Sequence, residues 1–456
     1  MTAHVSSVSF VPRSGQSWRA PWQMYADLRD HDPVHHVVPE GAPGNDYWVL
    51  SRHADVYAAA RDAETFSSAA GLTTTYGELE KIGLQDNPPL VMLDPPDHTA
   101  FRRLVSKGFT PRQVTAVEPS VRAFVVERIE RLREAGEGDV VKELFKPLPS
   151  MVVAHYLGVP DEDRAQFDGW TEAIVAANAQ GDTLQATGAV TDLMGYFAGL
   201  IERRRTDPGD DTISHLVTGG MGADGDVTGL LSILGFAFTM VTGGNDTTTG
   251  MLGGAVQLLT EHRDQRRDLI EHPELVGDAV EELLRLTAPV QGLARTVTRD
   301  VEIDGTVVPE GRKALLLYGS ANRDPRRFGP DSEVLDVRRS PKQILTFSHG
   351  AHHCWVRPRH GCRRGSLSRN CWPAAPTSPS TSTPSSTRTA ITCAARQASR
   401  SGWVERDRRL DAGRTPPPRR RANPRRRGPA VRRERHRRRR NGRGCPGGRM
   451  FPRRCT

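Results

Sequence analysis

Apolar positions recur with helical period over much of this chain. Patterns of that kind cover 117–135, 148–156, 163–178 and 187–205, and another begins at 54–61. Strand-like runs are few. Tyr47, Trp48, Val49 and Leu50 form a short apolar run that predicts a strand, and alternation between 293 and 308 predicts strands turned at Gly305. Asp94, Pro95, Pro96 and Asp97 mark a helix start, because proline in a first turn forfeits no intrahelical hydrogen bond. The stretch 227–260 is apolar on nearly every face and predicts a central, buried helix. Gly243 and Gly244 interrupt its middle, each costing roughly 1 kcal/mol relative to alanine in a helix interior. Two readings account for them: close packing against another helix, or a bend or gap lined by Asn245, Asp246, Thr247 and Thr248. The pattern predicts a mainly α fold with a large helical domain, a long central helix and a small β-rich region. Residues 1–20 read as a polar, irregular lead-in.

Composition changes the picture only when it is divided along the chain. The 456 residues carry a formal net charge of +9, which by itself suggests a nucleic-acid partner. Residues 355–456 contain 29 Arg, no Lys and 4 acidic residues, so residues 1–354 carry a charge of −16. An acidic body is followed by a very basic tail. All six cysteines lie at or beyond position 354, and a single thiol before the tail cannot form a disulfide within the body, which fits a reducing compartment. No leader-like segment is legible, and no run reads as the ~20 apolar residues of a membrane span. The expectation is a soluble, cytoplasmic body.

The candidate chemistry lies in three motifs taken in order. Gly243, Gly244, Asn245, Asp246, Thr247 and Thr248 break a buried helix. Glu282 and Arg285, at i and i+3, share the face of a later one. The run Phe347, Ser348, His349, Gly350, Ala351, His352, His353, Cys354 closes the body. Taken alone, the Glu–Arg pair means little, since Glu130 with Arg133 and Glu202 with Arg205 repeat the spacing where a solvated salt bridge is the natural reading. Together, the three motifs resemble those of the soluble bacterial cytochromes P-450, the haem-thiolate monooxygenases, over roughly residues 20–354.

That resemblance implies haem b with Cys354 as its axial thiolate and metal ligand. A thiolate pushes electron density onto the iron and favours O–O cleavage. It implies that Phe347 and Gly350 shape the thiolate loop, and that His98, Arg102, Arg295 and His352 hold the haem propionates. Glu282, Arg285 and Arg339 are implied as a structural ion-pair network behind the loop, with Arg338 as the alternative third member. Asp246 and Thr247 resemble the family's acid–alcohol pair for proton delivery. The implied reaction inserts one oxygen atom from O2 into a C–H bond of a small apolar organic substrate. Electrons would come from NAD(P)H through a ferredoxin and its reductase. Mostly apolar or small residues between 71 and 92, at 174–178 and at 290–293 are candidate substrate contacts.

The resemblance stops at Cys354. The family continues with Gly two residues later and an Ala-rich helix, whereas this chain reads Trp355, Val356, Arg357, Pro358. One base inserted before the Trp355 codon turns TGG-GTn into nTG-GGT, which permits Leu-Gly and then an Ala-rich run. Further on, Arg369, Asn370, Cys371, Trp372 and Pro373 shift to a reading that permits Glu-Leu-Leu-Ala. The expectation is that a lost base makes 355–456 an out-of-frame, disordered tail. Two rival expectations remain: a nonspecific nucleic-acid-binding arm, or a haem-binding remnant left unstable or inactive by loss of the following helix.

Overall fold

A computed structural model describes residues 8–11, 20–81, 83–180 and 186–354. The helices are α1 (Trp22–His31), α2 (His53–Arg61), the single turn α3 (Glu78–Lys81), α4 (Asp97–Val105), α5 (Pro111–Ala135), α6 (Pro147–Leu157), α7 (Arg164–Gln180), α8 (Thr187–Thr206), α9 (Thr212–Thr218), α10 (Val227–Glu261), α11 (Arg263–Glu271), α12 (Val276–Thr287), and the short α13 (Tyr318–Ala321) and α14 (Pro325–Phe328). The strands are β1 (Val34–Val37), β2 (Tyr47–Leu50), β3 (Phe66–Ser67), β4 (Leu293–Val297), β5 (Val301–Ile303), β6 (Thr306–Val308) and β7 (Lys313–Leu316). The fold is mainly α, as the periodicity predicts. The expected disorder of 355–456 and the expected irregularity of 1–7 and 12–19 lie outside the described residues. Within the lead-in, Phe10 is buried and joins a small cluster with Tyr25, Leu28, Tyr47, Val49 and Leu317.

The β-region is one five-stranded sheet in the order β1-β2-β7-β4-β3, with a separate β5–β6 hairpin. Among the described strands only the β2–β7 pair runs parallel. At the tip of the hairpin Asp304 and Gly305 have φ of 49° and 77°, the left-handed pair a tight two-residue turn requires. β4 lies between β7 and β3, pairing Arg295 with Ala314 and Thr296 with Lys313.

α10 is the axis of the helical part. It packs against α6, α7, α8 and α12, and its N-terminal half supplies Ile233, Phe236, Ala237, Met240 and Val241 to the largest core cluster. Asp226 caps it by accepting a hydrogen bond from the Gly229 amide. The expectation that no segment approaches a membrane span needs correction here. By length and composition α10 is apolar enough to cross a bilayer. Its apolarity has another use, because one half faces the large helical core and the other reaches a second cluster through Met251, Ala255 and Leu259.

Gly243 and Gly244 divide the two readings between them. A Cβ on Gly244 would lie 2.8 Å from Val153 Cγ2 of α6, so this glycine permits close helix packing. A Cβ on Gly243 would meet nothing within 4 Å. That position faces open space.

Candidate active site

The open space is a cavity of about 300 Å³, at the lower end of the range typical of small-molecule sites. α10 forms one wall with Thr239, Met240, Gly243, Gly244, Thr247 and Thr248. α4 contributes His98 and Arg102, and the segment 346–354 contributes Phe347, Ser348, His352, His353 and Cys354. Two of the three sequence motifs thus converge on one space, although Cys354 and Thr247 are separated by more than a hundred residues. Its remaining lining is mainly apolar, from Val121, Val152, Val153, Val290 and Leu293 among others.

The loop that presents Cys354 is held by its own backbone. The Cys354 amide donates to the Phe347 carbonyl at 3.0 Å, His353 to Gly350 at 3.3 Å and Ser348 to Leu345 at 2.9 Å. Gly350 has φ +69°, and a Cβ there would lie 2.4 Å from the Ala60 carbonyl oxygen and 2.8 Å from Arg61 Cα. The glycine is therefore required by the end of α2 pressing against the loop, a reason that the motif alone does not reveal. Ser348, at φ 56° without being glycine, is fixed by the Tyr318 hydroxyl donating to its Oγ at 3.1 Å. Phe347 also packs against the cluster between α12 and the segment around Leu335 and Ile344.

Basic side chains gather on one side of the cavity. His98 is 2% exposed, and its ring lies 4.2 Å from that of His352. Arg102 donates to the Ala351 carbonyl at 3.0 Å and to the His353 carbonyl. His352 Nε2 is 3.1 Å from Ser68 Oγ. Burial, then the neighbouring Arg295, His98 and Arg102, push the His352 pKa down to about 3. Arg295 is 4% exposed and donates to the Ala294 carbonyl at 2.9 Å. Among the described residues no carboxylate lies within ion-pair distance of Arg295, although a buried guanidinium ordinarily has one. Arg295 sits beside the cavity rather than on its surface.

Thr247 lines the cavity, with its hydroxyl donating to the Gly243 carbonyl at 2.8 Å, the usual local bond of a mid-helix threonine. Asp246, one residue earlier, is turned off that wall. Partial enclosure raises its carboxyl pKa, and Lys146 opposes the rise.

Behind the loop is a second group of charges. Arg285 makes a bidentate pair with Glu282 at 2.7 and 2.8 Å, and both are fully buried. Arg339 Nε reaches the same carboxylate at 3.2 Å and also pairs with Asp331 at 2.8 Å. Arg338 instead pairs with Asp268 at the surface, so Arg339 is the third member. Glu130 with Arg133, and Glu202 with the less exposed Arg205, are the ordinary helix-surface pairs their spacing suggests. Sequence reasoning missed a further pair of links in which Glu333 accepts from Arg29 at 2.9 Å and Arg323 at 2.7 Å. No local spacing announces the Arg29 contact, made across some three hundred residues. Of the candidate substrate contacts, Val91, Val290 and Leu293 line the cavity. Ile174 and Ala177 do not; both are buried in the large helical core, where an apolar face of α7 packs inward.

Comparison with known proteins agrees with this geometry. The family pattern described as Cytochrome P450 matches residues 233–355. Cytochrome P450 130 of Mycobacterium tuberculosis is 69% identical over 351 residues, spanning 77% of this chain and 87% of that protein. This chain belongs to the cytochrome P450 family. The P450 relatives include the vitamin D(3) 25-hydroxylase of Pseudonocardia autotrophica, 34% identical over 75% of this chain and 83% of that protein. Among solved P450 structures, CYP109E1 from Bacillus megaterium in complex with testosterone superposes with a TM-score of 0.64 at 29% identity. It covers 82% of this chain and 89% of that one. The enzyme class is therefore a P450 monooxygenase, and the family implies a haem cofactor and oxidation of an organic substrate by O2.

Proposed function

We propose that the cavity holds haem b, ligated by the Cys354 thiolate, and that the chain's chemistry is oxygen insertion into a small apolar substrate. The observation that carries this reading is the pairing of Cys354 with a buried basic cluster around one mainly apolar cavity. The residues suit the cofactor. Arg295 is a buried cation with no acid among its described neighbours, and carboxylates such as the two haem propionates would supply one. Arg102 and His98 would serve the same edge, with His352 donating a hydrogen bond as a neutral ring. Haem, when bound, supplies activation of O2, with the thiolate favouring O–O cleavage.

The protein's own contributions follow from its side chains. Gly243 leaves room beside α10, and Thr247 can release the Gly243 carbonyl to hold a proton at its Oγ on the cavity side. Asp246, whose raised pKa favours holding a proton, would connect that hydroxyl with solvent by way of the Lys146 side of the helix. Among the lining hydroxyls, those of Thr239, Thr247, Tyr318 and Thr346 are already bonded, to Gly235, Gly243, Ser348 and Leu284. The cavity wall thus offers few free polar groups, which favours an uncharged, mainly apolar substrate. Electrons would reach the site from NAD(P)H through a ferredoxin and its reductase, as the resemblance implies.

The domain division we propose is a haem domain over 21–354 followed by a tail of different origin. The family match ends at Trp355, one residue beyond the thiolate, which supports a lost base near codon 354 over an evolved nucleic-acid arm. Sequencing the coding DNA decides between them: a family-like continuation in the neighbouring frame is expected, and its absence overturns the frame-loss reading. The haem reading is tested by the carbon monoxide difference spectrum of the reduced full chain. A thiolate-type band that disappears in Cys354→Ser is expected. A band of that type surviving the substitution, or no haem uptake at all, would defeat the reading for this polypeptide.

A further inference from the structure

We infer that Asn322 is a positioning residue that couples the buried Glu282–Arg285 pair to the Cys354 loop. Its bonding reaches two ways. The Asn322 carbonyl accepts from Arg285 Nη1 at 2.7 Å, while its side-chain Oδ1 accepts from the Leu345 amide at 2.7 Å. Its Nδ2 donates to Thr346 Oγ1 at 2.9 Å, and Thr346 passes its own proton to the Leu284 carbonyl at 2.8 Å. Asn322 is fully buried.

The chemistry calls for an amide at this position. Thr346 has one hydroxyl proton, already spent on Leu284, so its oxygen must accept, and only a donor can face it. The Leu345 amide needs an acceptor at the same place. One short side chain supplies both, and its main chain receives the guanidinium of the buried ion pair. Two residues beyond Thr346, the Tyr318 hydroxyl holds Ser348 from the other end of α13. α13 and Asn322 therefore form a shelf that fixes residues 345–348, from which the chain runs directly to Cys354. Asn322 thus joins the Glu282–Arg285 helix to residues 345–346 through its main-chain carbonyl on one side and its side-chain amide on the other, beside the direct Thr346–Leu284 bond. Without the Asn322 side chain, the buried Leu345 amide loses its acceptor and the half-buried Thr346 hydroxyl keeps only its bond to Leu284.

The inference rests on Cys354 as haem ligand only for its functional consequence, so two readouts separate the claims. In the haem-free full chain, Asn322→Ala is expected to speed amide hydrogen exchange of residues 345–354 about tenfold, from loss of a buried hydrogen-bond partner. Exchange in α10 and in β4 and β7 should change much less. Asn322→Asp keeps the acceptor for Leu345 and loses the donor to Thr346, so it should fall between Asn322→Ala and the parent. In the haem-loaded chain, Asn322→Ala should lower the thiolate-type share of the reduced carbon monoxide spectrum at unchanged haem content. Unchanged exchange at 345–354, or equal acceleration throughout the body, overturns the positioning role. If Cys354→Ser keeps the thiolate-type band, the haem-ligand reading fails while the exchange result still decides the role of Asn322.

Discussion

Two groups of charged side chains lie near the Cys354 loop, one lining or flanking the cavity and one linked to residues 345–346 through Asn322, and they differ in balance. Behind the loop, the fully buried Glu282 is shared between Arg285 and Arg339, and the exposed Glu333 accepts from the buried Arg29 and Arg323, so each of these carboxylates is shared between two cations. On the cavity side, His98, Arg102, Arg295 and His352 gather, and among the described residues no carboxylate lies within ion-pair distance of the buried Arg295. The first cluster is complete in the polypeptide. The second gathers positive charge at the edge of a cavity, an arrangement that suits an anionic ligand. Balance thus separates a structural network from a binding site where burial alone does not.

The largest expected effect breaks the balanced cluster. Arg285→Ala leaves Glu282 buried with only Arg339, and should cost about 3–5 kcal/mol. That is a large part of a domain's net stability, so soluble folded yield and a denaturant titration should both collapse. A smaller effect should come from the unbalanced side. Arg295→Leu removes a buried cation that has no acid of its own, so the haem-free chain should melt at or above its parent temperature. Haem affinity should fall roughly 10–100-fold, the worth of a charge-assisted hydrogen bond of about 1.5–3 kcal/mol. Equal loss of haem-free stability in both variants would erase the contrast.

Gly350→Ala tests the loop between them. Its Cβ would collide with the Ala60 carbonyl at a positive φ, and a cost of about 1–3 kcal/mol is expected in thermal or chemical unfolding. Thr247→Val should leave stability within about 1 kcal/mol, since only a bond back to its own helix is lost. It should nevertheless reduce product formed per NAD(P)H consumed, measured with any accepted substrate.

The smallest effect is in pH dependence. The Asp246 carboxyl has a raised pKa when folded, so the folded state holds its proton more tightly than the unfolded chain. Its ionisation costs stability as pH rises from about 4, the unfolded value, until the folded group has titrated. Asp246→Asn should therefore gain slightly on the parent across that window and match it below. The comparison is read from melting temperatures at a series of pH values.

Much of this was legible beforehand because periodicity reports burial. The central helix was expected over 227–260 and spans Val227–Glu261, and the Tyr47–Leu50 strand falls where its apolar run lies. Two other strands gave weaker signals. β1 contains two adjacent histidines, and β7 begins with Lys313, whose buried ammonium is accommodated by the Ala70 carbonyl at 2.7 Å. A buried lysine contradicts a hydrophobic pattern, and only its distant partner explains it.

The sequence by itself determined the helical class and the order of the three motifs, since these depend on local spacing and residue chemistry. Only the tertiary structure decided that Arg339 rather than Arg338 completes the network, that Gly244 serves packing while Gly243 faces open space, and that Asn322 joins the ion pair to the loop. Those decisions rest on contacts between residues far apart along the chain. Their energies depend on which groups share a dry interior, and linear spacing carries no record of that.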